Sequence, residues 1–138
     1  MSHDSSVQTY DDMLAWPFAL GGRGANGIDC LGVCVEVWSR LGIPAIDPWE
    51  QLVSESNLRG RRAWARLSHS DRPTMGWKQA TSPWMPGDVG EHVGNSHVSA
   101  YVGDGWWISA ASACNGVYRF AENGTQRNSI RSVWRWRC

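Results

Sequence analysis

A cysteine and a histidine are the two residues of this sequence whose types and surroundings suit nucleophilic chemistry. Cys30 directly follows Asp29 in "NGIDCLGVCVEVW", and His97 opens "HVSAYVG". The thiolate is the reactive form of cysteine, and a nearby imidazole can accept the thiol proton. The competing interpretation makes Cys30 a small core residue and His97 an ordinary residue at a strand end.

A helix is the element that would position Cys30. Apolar residues recur at positions 30, 33, 34, 37, 38 and 41, which is the spacing of one helical face. Asp29 suits the N-cap, and Gly42 suits the position just past the last turn. The helix dipole lowers the pKa of a thiol in the first turn, and the free N–H groups there can stabilise an oxyanion.

Antiparallel strands would position His97. "SHVSAYVG", the turn "DG" and "WWISAASA" predict a hairpin, with His97 at the edge of its first strand. "NGVYRFA" and "SIRSVWRW" predict two further strands. Because helices come first and antiparallel strands after, the sequence predicts an α+β domain.

Three other stretches carry weaker signals. "TYDDMLAW" predicts a short helix over residues 9–16, with Thr9 as its cap and Pro17 as its stop. "ALGGRGANG" is a glycine-rich turn without the lysine pattern of a phosphate loop. "DPWEQLVSESNL" and "RRAWARLS" predict short helices, and "SDRPTMG" predicts a loop.

The composition of the chain indicates which classes of binding partner are expected. Lys plus Arg and Asp plus Glu each number 13, so charge gives no argument for nucleic acid or an anionic membrane as partner. The tail "RSVWRWRC" predicts an edge strand with one buried and one solvated face, in preference to a phosphate-binding strand. No apolar run approaches the ~20 residues that span a bilayer. Some of the ten tryptophans are expected to face a groove or a partner.

The polar, acidic N-terminus lacks the pattern of a secretory signal, so we expect a chain made in the cytoplasm. Its four cysteines are too few and too irregular for a disulfide scaffold. Zinc would need two ligands beyond Cys30 and Cys34, and no second pair supplies them, so the sequence predicts no metal and no cofactor. Cys34 and Cys114 are expected to be small buried residues.

Several motifs occur in an order that matches a known family. They are "WPFALGG", the helix start D-C-x-G, the helix end L-G-I, the turn P-G-D, and "HVSAYVGDGWWISAAS". In their order and spacing the chain resembles the NlpC/p60-type peptidoglycan cysteine peptidases, a papain-like family. The match is strongest over residues 10–120 of what would be a single domain, 1–138. The "DCLG" form is most similar to the subgroup encoded beside bacteriophage tail genes.

The resemblance implies roles for particular residues. Cys30 would be the nucleophile and His97 the general base. Ser109 falls at the position of the third, orienting residue, which is usually His, Asn or Gln. Phe18 falls where the family usually has a tyrosine whose hydroxyl lies near the oxyanion, and Phe18 and Asp29 would border the groove. Three residues near His97 are candidates to take over the roles of the polar groups that the family usually has at positions 109 and 18: Glu91, Asn95 and Ser96.

The resemblance also implies a papain-like fold, with N-terminal helices packed on a C-terminal antiparallel β-sheet. The first functional hypothesis is a phage tail-associated hydrolase of peptide or amide bonds in peptidoglycan stem peptides, located in the virion tail. The second is a structural tail-tip or baseplate subunit that contacts other tail proteins. The third is a redox or acyl-transfer centre that acts on lipids or other amides.

Overall fold

The structure is a computed structural model that describes residues 10–45, 76–93 and 97–136. It contains one α-helix in this part of the chain, α1 (Cys30–Leu41), which packs against a six-stranded antiparallel sheet. A small hairpin, β1 (Arg23–Gly24) and β2 (Gly27–Ile28), precedes the helix. The sheet comprises β3 (Trp77–Gln79), β4 (Val89–His92), β5 (Val98–Gly103), β6 (Trp106–Ala111), β7 (Gly116–Ala121) and β8 (Ile130–Trp136). The predicted α+β class is therefore confirmed.

Helix α1 has the caps that the sequence predicts. The Asp29 side chain accepts a hydrogen bond from the Gly32 N–H at 2.7 Å, which satisfies a donor that the first turn leaves unpaired. Gly42 ends the helix with φ of 74°, a left-handed conformation that glycine adopts without steric cost. These two residues explain why the helix occupies the predicted interval.

The strand order is β3-β8-β4-β5-β6-β7. Side chains alternate between the two faces of the sheet, so each face carries its own apolar cluster. One cluster joins α1 to Val98, Ala100, Ile108 and Ala110. The other contains Trp107, Phe120, Ile130 and Val133. Since α1 covers only the first of these faces, the adjacent residues Trp107 and Ile108 are buried in different clusters.

The prediction of an edge strand at the C-terminus is wrong. β8 lies between β3 and β4 and pairs with both. Val133 and Trp134 are consecutive and both are buried, because one faces each cluster. Arg135, expected on a solvated face, binds the buried Asp88 carboxylate with N–O distances of 2.7 and 2.9 Å. The strands β3 and β4, which make β8 internal, were not predicted from the sequence.

The predicted N-terminal helix is a 3-10 helix, Asp11–Ala15, which ends before Pro17. Its expected cap Thr9 lies outside the described residues, as do the helices predicted within 47–68 and residues 70–75 of the loop predicted over 70–76. The glycine-rich stretch forms the β1–β2 hairpin.

Burial differs among residues of one type. Trp38, Trp77, Trp107 and Trp134 are buried, whereas Trp106 is 39% exposed. Cys34 is buried as expected, but the expectation for Cys114 is wrong, because it is exposed in the connection between β6 and β7.

No helix in the described ranges has the length and apolar character needed to cross a membrane.

Candidate active site

Cys30 is the first residue of α1 and belongs to the core cluster between helix and sheet. Its exposed fraction is 1%. A thiol in this position is close to the unpaired N–H groups of the first turn, which favour its anionic form. At this exposed fraction the Cys30 side chain is almost closed to solvent.

The Asp29 carboxylate ties the glycine-rich turn to the start of α1. It accepts hydrogen bonds from the N–H groups of Gly32 and Gly21, both at 2.7 Å, and from the Arg23 guanidinium at 2.9 Å. Asp29 is fully buried, while the Arg23 side chain is 23% exposed. The carboxylate thus fixes the backbone on both sides of Cys30.

Gly32 explains the spacing of the D-C-x-G motif. A Cβ atom at this position would lie 2.4 Å from the carbonyl oxygen of Gly22 and 2.8 Å from the Ile28 side chain. A real Cβ cannot approach backbone so closely, and any larger residue would push the helix away from the turn. The glycine therefore keeps the Cys30 turn in contact with the hairpin.

His97 directly precedes β5, and its ring is held through Nε2. The Tyr118 Oη atom lies 2.9 Å from Nε2, and the Ser109 Oγ atom lies 3.2 Å from it. Ser109 is the predicted orienting position, and the structure does bring it to the imidazole. The Ser109 hydroxyl is itself held by donation to the Val98 carbonyl at 2.6 Å.

Sequence reasoning missed Tyr118. It lies on β7 directly opposite Ser109 on β6, so both hydroxyls reach the same ring nitrogen. The alternation of "NGVYRFA" predicts a strand, but only the register with β6 reveals that Tyr118 meets Ser109. The sequence contains no signal that gives the register between β6 and β7, so it could not reveal this contact.

The Tyr118 hydroxyl is partly removed from water. Burial is the main cause that raises its pKa to about 12, so the phenol is protonated and uncharged at neutral pH.

His92 is a second histidine beside the candidate base. Its Nε2 atom lies 2.7 Å from Ser99 Oγ, and its Nδ1 atom is hydrogen-bonded to Ser129. Burial, and then the charges of His97 and Arg127, lower its pKa to about 4. His92 is therefore neutral across the physiological range.

Other predicted positions lie as follows. Phe18 is partly buried against the core cluster and forms a bridge to Ile28, two residues before Cys30. Glu91 is buried on β4 and accepts a hydrogen bond from Ser132 at 2.8 Å. Asn95 and Ser96 lie outside the described residues. Within the described ranges, no three His, Cys, Asp or Glu residues cluster as a metal site requires.

No protein-family model matches the chain, and no curated protein matches it.

Proposed function

We propose that the protein is a papain-like cysteine hydrolase of the NlpC/p60 type, with Cys30 as nucleophile and His97 as general base. The observation that carries this proposal is the contact between His97 and Ser109, because it holds the imidazole by Nε2. Holding the ring by Nε2 assigns proton exchange with the thiol to Nδ1. The position of Cys30 in the first turn of α1 supports the role of nucleophile.

The reaction is acyl transfer. The Cys30 thiolate attacks the carbonyl carbon, and backbone N–H groups at the start of α1 stabilise the oxyanion that forms. The His97 imidazolium then gives its proton to the leaving amine as the C–N bond breaks, which leaves a thioester on Cys30. His97 next takes a proton from water, whose oxygen attacks the thioester and releases the acid and the thiol.

The substrate class in this proposal is the stem peptide of peptidoglycan, cut at a peptide or amide bond. The setting is a bacteriophage tail, where the domain contacts other tail-tip or baseplate proteins. The D-C-L-G helix start and the P-G-D turn support both assignments through the resemblance. The chain is made in the host cytoplasm and carried in the virion.

A cell-wall digest tests the proposal. Purified peptidoglycan is incubated with wild type, Cys30→Ala and Cys34→Ala, and newly released amine is measured. Cys34 is a matched control because it lies one turn later on the same helix and is also buried. We expect release by wild type and Cys34→Ala and none by Cys30→Ala. Equal release by Cys30→Ala and wild type would refute the catalytic role.

A structural subunit of the tail tip is a second candidate function. The observation that favours it is the burial of Cys30, which is 1% exposed. Iodoacetamide labelling separates the two candidates, since Cys114 is exposed and serves as an internal reference. Labelling of folded protein at Cys30, with a thiol pKa below about 8.5, supports the enzyme. Labelling of Cys30 only after unfolding supports the structural subunit.

A further inference from the structure

We infer that the cavity beside the β5–β6 turn binds one ring of a neutral saccharide, with Trp106 as its stacking surface. The cavity has a volume of about 170 Å³. Five side chains on its wall carry the argument: Tyr10, Asp11, Asp104, Trp106 and Arg119. This inference goes beyond the proposed function and does not depend on it.

The cavity lies near the end of α1 that is opposite to Cys30. The Arg40 guanidinium, in the last turn of the helix, is 5.8 Å from the centre of the Tyr10 ring. Cys30 is the first residue of that helix, so about 15 Å of helix separates it from Arg40. The cavity is therefore a second site and not an extension of the candidate active site.

Trp106 offers an apolar ring at this cavity. Its side chain is 39% exposed, which makes it the most exposed tryptophan of the described ranges. Because side chains alternate along β6, Trp106 lies on the same face of the sheet as Ile108, which also lines the cavity. The face of an indole carries partial negative charge, and the C–H groups of a sugar ring are complementary to it.

Hydrogen-bonding groups of both charge signs surround the indole. The Arg119 guanidinium lies 4.9 Å from the centre of the Trp106 ring and 3.4 Å from an Asp11 carboxylate oxygen. Asp104 adds a second carboxylate from the β5–β6 turn. An anion would face two carboxylates, and a cation would face the guanidinium. The hydroxyls of a neutral sugar instead donate to the carboxylates and accept from the guanidinium, so charge favours this ligand.

The β5–β6 turn holds the rim of the cavity in place. Asp104 and Gly105 have φ of 54° and 82°, the left-handed values of a tight two-residue hairpin turn. The Gly105 N–H donates to the Tyr101 hydroxyl at 2.8 Å, and its carbonyl accepts from the Glu122 N–H at 2.7 Å. A rim that is fixed before binding loses little conformational entropy when a ligand enters.

Tyr10 supplies an independent observation. Its hydroxyl is buried and has no hydrogen-bond partner among the residues that the structure describes. A buried hydroxyl without a partner costs stability, because its hydration is lost and nothing replaces it. Burial also raises the pKa of this phenol, so the hydroxyl keeps its proton and can donate. A sugar hydroxyl in the cavity gives this donor the acceptor that the described residues do not provide.

Titration calorimetry with three soluble trisaccharides tests the inference: cellotriose, maltotriose and tri-N-acetylchitotriose. We expect wild type to bind at least one of them, and Trp106→Ala to bind it at least about tenfold more weakly. Trp106→Phe keeps an aromatic ring and should recover part of the affinity. Leu20→Ala is the control, since Leu20 is 46% exposed and does not line the cavity, and its affinity should equal that of wild type.

Two outcomes of this titration would overturn the saccharide site. One is the absence of binding by wild type, which decides the matter without any variant having to fold. The other is equal affinity of wild type and Trp106→Ala. Tetramethylammonium is titrated in parallel, because an aromatic ring beside carboxylates also suits a quaternary cation. Binding of this cation and of no trisaccharide would likewise overturn the inference.

Tyr10→Phe tests the unpaired hydroxyl with two measurements of opposite sign. The loss of a buried hydroxyl without a partner should raise the Tm of the ligand-free protein by a few degrees. The same change should weaken trisaccharide binding about three- to tenfold. Tyr101→Phe is the matched change, because its hydroxyl has a partner in the Gly105 N–H, and its Tm should fall. A lower Tm or an unchanged affinity in Tyr10→Phe would contradict the contact of Tyr10 with the ligand.

This inference and the proposed function fail separately. Cys30→Ala should bind the trisaccharide as wild type does, since Cys30 is distant from the cavity. Trisaccharide binding without Cys30-dependent cleavage would support the saccharide site and overturn the hydrolase. Cys30-dependent cleavage without trisaccharide binding would support the hydrolase and overturn the saccharide site.

Discussion

The ring centroids of His92 and His97 lie 4.7 Å apart. The backbone N–H of His92 donates to the His97 carbonyl at 3.0 Å, so the pairing holds the two rings side by side. Two imidazolium charges at this distance would repel each other in a partly desolvated setting. The buried His92 ring therefore stays neutral beside His97.

The neutrality of His92 makes folding stability depend on pH. The unfolded chain protonates this residue near its ordinary pKa of 6.5, whereas the folded chain holds the pKa at about 4. Between these values the unfolded state binds more protons, so the free energy of unfolding falls as pH falls. We expect a loss of up to about 3 kcal/mol from this residue, measured by urea unfolding at several pH values.

His92→Gln is the matching variant, because glutamine keeps hydrogen-bonding groups but does not titrate in this range. Its stability curve should be flatter than that of wild type between pH 6.5 and 4. Parallel curves for the two proteins would contradict the assignment of this pH dependence to His92.

Asp29→Ala should cost more stability than the loss of an ordinary helix cap. The change removes three acceptor contacts and leaves Arg23 without its buried partner, so we expect about 3 kcal/mol. Asp12→Ala is the control, since Asp12 binds Arg40 at 2.7 Å but is 56% exposed. Its cost should stay below about 1 kcal/mol. Similar losses in thermal unfolding would show that Asp29 does not clamp the turn.

Gly32→Ala should destabilise the protein although alanine favours helices. Helix propensity alone would stabilise by about 1 kcal/mol, but the added Cβ meets the Gly22 carbonyl at 2.4 Å. We expect a net loss of about 2 kcal/mol in chemical denaturation. Gly24→Ala has no atom within 4 Å of the added Cβ and should change stability by less than about 0.5 kcal/mol. A stabilised Gly32→Ala would be incompatible with the close approach.

Phe18→Tyr tests the oxyanion side of the proposed site. Loss of one oxyanion donor costs about 10²–10³ in turnover in a well-characterised protease, and Phe18 stands where the family usually has tyrosine. We expect the added hydroxyl to raise kcat on cell wall at least about tenfold. Phe18→Leu adds no donor and should give no rise. A Phe18→Tyr enzyme no faster than wild type would count against a donor role at this position.

Local signals correctly predicted where α1 and the strands β5 to β8 lie along the chain, but not the internal place of β8 in the sheet. Asp29, Gly42 and the apolar spacing between them act over a few residues, so the sequence contains all that defines the helix. The same holds for the turn at Asp104 and Gly105, which joins β5 to β6. Such elements depend on neighbours along the chain and are therefore visible without a structure.

Elements defined by distant partners were missed. β3 has three residues and β4 has four that are all buried, so neither shows the alternation of a half-exposed strand. Without β3 and β4 as known neighbours, β8 is predicted to be an edge strand. Ser109 was found by its place in a motif, whereas Tyr118 depends on the register between β6 and β7, which sequence alone does not give.

The contacts of His97 Nε2 with Tyr118 and Ser109 join residues that are 21 and 12 positions apart in the chain. Docking of α1 instead depends on remote contacts, such as the bond from Trp38 Nε1 to the Gly87 carbonyl, 49 residues away. Loop-closure entropy makes remote contacts form late. We therefore expect the strands β5 to β7, which hold the His97 ring, to pair before α1 docks on the sheet. The Cys30 thiol would then reach its native position late in folding.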